Sequence, residues 1–148
     1  MANTIREQII SAYKTRLAQI TVANGYNTGL GANVYRGVKH VDVDSLILWP
    51  QPEDVTSRYG ENVCAFSLRI EGVMEFGATD PGVIQEKILG DIIKCVTDPS
   101  VTVSALPESV KYITGGPADQ PDAKDTITGA FAEFEVKYKT LLGNPYQQ

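Results

Sequence analysis

The chain has 148 residues, 43% of them hydrophobic and 21% charged, which is the composition of a globular domain with one core and excludes a disordered or fibrous polymer. Thirteen Lys and Arg stand against eighteen Asp and Glu, for a formal charge of −5. The cations are scattered, so the clustered charge that a phosphate backbone requires is missing. No run reaches the roughly 20 apolar residues of a membrane span, and "MANTIREQII" lacks a signal-peptide layout.

Thr4 and Glu7 form a capping box. Ile5, Ile9, Tyr13, Leu17 and Ile20 then recur on one helical face with Ile10 at its edge, which predicts a helix ending near 23–24, before a left-handed Gly25. Arg6, Glu7, Lys14 and Arg16 fall off this stripe and read as solvated. A glycine-rich link follows over 25–33. "NVYRG" (33–37) and "SLILWPQP" (45–52) read as short strands, the second stopped by its prolines. Residues 53–61 read as a polar loop.

A long strand is predicted over 62–76, with Cys64, Phe66, Leu68 and Ile70 facing the core and Gly72 and Gly77 marking a bend or bulge. "TDPGVIQEKILGDIIKCVTDP" is the clearest helix, capped by Asp80, opened by Pro81 and stopped at Asp98–Pro99. Its apolar face, Ile84, Ile88, Leu89, Ile92, Ile93, Cys95 and Val96, is wide enough to lie flat on a sheet. Residues 108–116 and 126–140 read as an antiparallel hairpin joined by a polar, acidic connection over 116–125. The expected fold is α+β in a single domain, 1–148: an antiparallel sheet with an N-terminal amphipathic helix and a central helix packed on it.

Residues with chemistry to offer are few. His40, near Asp42 and Asp44, is the only histidine and lacks the converging ligands of a metal site, so no metal or cofactor is expected. Cys64 and Cys95 read as buried free thiols. "GLGANVYRG" follows a helix and precedes a strand, the reverse of a phosphate-binding loop. "SAYK" has the Ser-x-x-Lys spacing of penicillin-recognising acyltransferases without their other elements. Glu133 and Glu135 stand on the outer face of the last strand, where a carboxylate pair can act as acid and base. They alternate with Lys137 and Lys139, the pattern of a solvated or subunit-facing strand. Trp49, Arg58 and Tyr59 flank the 50–61 segment and are the residue types that anchor protein interfaces, or else cap the core edge. Three classes remain open at this level: an assembly protein, a small hydrolase using Glu133 and Glu135, and a monomeric adaptor binding through Trp49, Arg58 and Tyr59.

The N-terminal helix, the long strand, the helix of "DPGVIQEKI" and the closing "FEVKYKTLLGNPY" together resemble the bacteriophage tail terminator family, also called tail completion or minor tail U-type proteins. Tyr138 and Thr140 followed by Gly143, Asn144, Pro145 and Tyr146 form the most characteristic stretch. The resemblance implies a virion structural protein with no enzymatic activity and no cofactor. It implies a homo-oligomeric ring, a hexamer, which caps the head-proximal end of the tail tube, stops its growth and offers a surface to the head–neck connector. A head–tail connector or a tube-like subunit is the alternative. The implied partners are the chain itself, the tube protein, the neck protein and passing DNA without specific binding, with no membrane. The implied location is the virion tail, assembled in the host cytoplasm. On the same basis Trp49, Arg58, Tyr59, Glu133, Glu135, Lys137, Lys139 and Tyr146 are candidate interface residues. Asp119, Asp122 and Asp125 become an axial or channel-lining loop whose negative charge repels DNA, and "LLGNPYQQ" becomes an arm toward a neighbour.

Overall fold

The computed structural model describes residues 2–39, 44–119 and 126–148. Helix α1 (Ile5–Leu17) is followed by two 3-10 turns, strands β1 (Val34–Arg36), β2 (Ser45–Arg58) and β3 (Glu61–Glu75), helix α2 (Pro81–Thr97), and strands β4 (Ser109–Asp119) and β5 (Ile127–Leu141). The five strands form one sheet in the order β1-β2-β3-β5-β4. All neighbours are antiparallel except β1, which runs parallel to β2. The fold is α+β, and the sheet is mixed at one edge.

Thr4 caps α1 by accepting a hydrogen bond from the Glu7 amide at 3.1 Å. The carboxylate of Glu7 turns away from the box to Arg36, at 2.7 and 2.8 Å. The helix ends at Leu17, earlier than its stripe predicts. The chain around Gly31 crosses the carbonyls of residues 18–20 closely, with the Gly31 amide on Ile20 O at 2.8 Å, and this takes up acceptors that a longer helix would use. Ile20 is still fully buried, reached through a turn rather than a helix. Gly25 is left-handed (φ 85°), but it caps the turn Val22–Asn24.

The largest correction concerns β2. The prolines do not stop it: it runs on through a bulge between Pro50 and Glu53 to Arg58, and turns at Tyr59–Gly60 into β3. The expected polar loop is strand. Beyond β1, which reaches only Leu48, that edge of β2 has no neighbouring strand among the described residues. A residue without an N–H therefore costs little there.

One face of the sheet carries the core. Leu46, Leu48, Phe66, Leu68, Ile70, Ala132, Phe134 and Val136 meet Ile9, Leu17, Ile88 and Ile92 from the helices, all essentially without exposure. The alternation expected of Cys64, Phe66, Leu68 and Ile70 holds. Pairing is regular through Gly72, so no bulge forms. A Cβ there would collide with Ile88 Cγ2 and press Leu30 and Leu46, so the glycine lets α2 lie close on β3. Gly72→Ala is expected to destabilise the chain by about 2 kcal/mol through overpacking, read by urea denaturation. Asp80 caps α2 through the Gly82 amide at 2.8 Å, and Asp98 ends it.

Candidate interaction surface

The sheet face away from the helices carries the charges. Register sets Arg58, Asp54 and Trp49 of β2, Ser67 and Arg69 of β3, Glu133, Glu135, Lys137 and Lys139 of β5, and Lys111 of β4 on it. Glu133 binds Arg69 at 3.2 Å, and the Arg69 guanidinium lies 3.8 Å from the centre of the Phe131 ring. Glu135 takes Lys137 at 3.5 Å. Lys139 reaches Glu61 at 3.5 Å and Glu108 at 3.1 Å, and these two acids hold its ammonium above the ordinary lysine pKa. Each carboxylate of the predicted pair thus has its own cation, and the two glutamates do not face one another as an acid and a base.

Of the remaining charges on this face, Asp54 and Lys111 have no ion-pair partner among the described residues; Lys111 is on the edge strand β4 and Asp54 on the part of β2 that β1 does not cover. Arg58 likewise has no ion-pair partner among the described residues, because Glu61 opposite it is taken by Lys139.

Trp49, half-buried, stands opposite Arg69 near the middle of the sheet. Tyr59 is at the hairpin tip, on the order of 30 Å away along an extended strand. The structure therefore does not bring Trp49 together with Arg58 and Tyr59. Asp119 ends β4, while Asp122 and Asp125, like His40 and Asp42, lie outside the described residues.

The C-terminal tail folds back on its own chain. Pro145 O accepts the Ile5 amide at 2.9 Å, one of the first-turn donors that α1 cannot satisfy itself, and Gln148 Nε2 donates to Leu106 O at 2.6 Å. The expectation of a free arm is corrected to this extent, although Leu142 and Tyr146 remain exposed.

Arg6 and Arg16, expected to be solvated, are structural. Arg6 lies 4.3 Å over the Phe66 ring, pairs with Glu53 at 3.3 Å and donates to Gln51 O at 2.6 Å. Glu53 in turn accepts the Tyr138 hydroxyl at 2.5 Å. Burial and the Glu53 charge push the Tyr138 phenol well up from its ordinary value. Arg16 donates to Cys95 O at 3.1 Å. Cys64 and Cys95 are free and buried, and burial raises both thiols. The Arg36 hydrogen bonds hold the Glu7 carboxyl below its ordinary pKa. Glu7 therefore contributes stability above its unfolded pKa that fades as pH falls through the folded value. Arg36→Ala is expected to raise the Glu7 pKa toward the ordinary carboxylate value in an NMR titration.

Among the described residues no group of three His, Cys, Asp or Glu is placed to hold a metal ion, and no helix is long and apolar enough to cross a membrane. No family model matches the chain, and no curated protein matches it. Among solved structures, a chain of the virion of a native gene transfer agent particle is similar, with a TM-score of 0.58 and 14% identity over 88% of this chain and 96% of that one. At that identity the likeness is one of fold.

Proposed function

We propose that this chain is a virion structural protein that works by assembly, without turnover: identical copies close into a ring that caps the head-proximal end of a tail tube, as the tail terminator resemblance implies. The observation that carries the reading is a pair of open edges, β4 on one side of the sheet and, on the other, the stretch of β2 beyond the residues that β1 covers. In the order β2-β3-β5-β4 each strand opposes the next, so β4 runs antiparallel to β2. A copy rotated about an axis along the strands therefore presents its β2 to the free edge of β4 in antiparallel sense, and repetition closes a ring. Free edges are normally blunted, because they invite pairing. Here β4 is interrupted by two irregularities, but Glu53–Arg58 of β2 has none.

Charge supports the same pairing. Asp54 of β2 lies in the row of Ala65, Lys137 and Ser109, two residues along β4 from Lys111. That offset is about 7 Å along the strand, a stagger of the kind that sheet closure imposes. It sets Asp54 of one copy against Lys111 of the next. The helices then lie outside and the charged face lines the bore. Cations and carboxylates alternate on that face in near balance, so it offers DNA no cationic track. The fold likeness to a chain of a virion particle supports a place in a virion, and hexameric closure, the tube and neck partners and the tail location follow the same reading.

The test is electron microscopy of tails made with and without this chain. Uniform tubes with it and overlong tubes without it are expected; equal length distributions would reject the role.

A further inference from the structure

The end of the sheet where β2 turns into β3 carries an exposed apolar tip. Tyr59 is 96% exposed and holds a left-handed backbone (φ 48°), followed by Gly60 (φ 80°). Turns of this hand favour Asn-Gly or Gly-Gly, and a tyrosine there is strained. Among the described residues nothing packs on the Tyr59 ring to repay that strain. Leu142 is 60% exposed, and its amide donates to Gly60 O at 2.9 Å, which locks the C-terminal turn to the tip. The Leu141 amide is fixed on Gln147 O in turn. Arg58, with no ion-pair partner among the described residues, stands next to Tyr59 in the chain. The tip is thus preorganised, apolar and edged by the Arg58 cation.

We propose that this tip is the axial contact of the ring: Tyr59 and Leu142 enter an apolar socket rimmed by a carboxylate on the end of the tube, with Arg58 meeting that carboxylate. The inference rests on the ring reading and adds to it the face that meets the tube. Two features choose this occupant. A tyrosine contributes on the order of 150–250 Å², so the tip falls well short of the roughly 800 Å² per partner of a stable pair. One tip alone is too weak, whereas a ring presents many at once and gains by avidity. The Arg58 cation selects a partner with complementary charge.

The experiment uses tubes purified from particles assembled without this chain, to which wild-type or variant protein is added, with ring formation followed separately by light scattering. Tyr59→Asn gives the turn its preferred residue and removes the ring, so folding is retained, with a melting temperature equal to or above that of wild type. Rings are expected to form as before, while half-capping of tubes requires about ten-fold more protein or greater. Leu142→Ser, which lies outside the β2 and β4 edges, is expected to act in the same direction. Rings of either variant that cap tubes as well as wild type overturn the inference and leave the ring reading intact. Paired rings, joined in wild type and separated by Tyr59→Asn, also overturn it, because the occupant is then a second copy. Absence of rings both on tubes and in solution removes the reading on which it rests.

Discussion

Replacing Asp91 by alanine is expected to destabilise the chain by about 3 kcal/mol or more, which makes it among the most damaging single changes in the protein. Asp91 is 1% exposed on α2. Its Oδ1 accepts the Asn27 amide at 3.0 Å and Asn27 Nδ2 at 3.3 Å, while Oδ2 accepts the Thr28 amide and hydroxyl, both at 2.8 Å. One carboxylate thus satisfies two backbone donors of the link between α1 and β1, a segment with no ladder of its own. Alanine would leave the Thr28 amide and hydroxyl without acceptors in a site that water does not reach, and each such group costs roughly 1–3 kcal/mol. Asparagine keeps one acceptor oxygen and is expected to fall between. Urea denaturation followed by circular dichroism reads both variants. A loss below about 1 kcal/mol for the alanine variant would mean that the link is held by something else.

Charge reversal at the free edges is expected to have the largest effect on assembly. Asp54→Lys alone and Lys111→Glu alone each set like charges across the proposed β4–β2 contact, and each is expected to abolish the ring at concentrations where wild type forms it. Both residues are exposed and have no ion-pair partner among the described residues, so folding should change by no more than about 0.5 kcal/mol. The double variant restores opposite charges in exchanged positions and is expected to recover the ring. Mass photometry distinguishes the four proteins. Rings in both single variants would show that these edges do not meet. Failure of the double variant to recover, with both single variants folded, would remove the specific Asp54–Lys111 opposition.

The two helices and the core face were legible because burial on one side imposes a period. Ile84, Ile88, Ile92, Cys95 and Val96 recur as a helix on a sheet must have them, and Cys64 to Ile70 alternate for the same reason. The long arm of β2 was not legible, since Pro50 and Pro52 read as strand breakers. They are tolerated because no described strand lies beside them there, which is a property of the topology and not of the local sequence. The same gap hid the surface. Asp54 and Lys111 carry no signal as residues, and they matter only because pairing leaves each of them on a free edge. Glu133, Glu135, Lys137 and Lys139 were found as an outward row, and their cross-strand partners Arg69, Glu61 and Glu108 became visible only with the register. Arg6 was misread because a cation beside a hydrophobic stripe looks solvated, whereas its long stem crosses Phe66 to reach Glu53.

The pairing of β4 with the next copy's β2 is tested most directly by Asp54→Cys combined with Lys111→Cys. Residues opposed in an antiparallel ladder have Cα atoms about 4.5–5.5 Å apart, within disulfide range, and the native thiols are buried out of reach. Mild oxidation of assembled protein should yield a ladder of covalent multimers that stops at the closed ring, with each single-cysteine variant remaining uncoupled. Rings that form normally while the double variant yields no linked species would contradict the account.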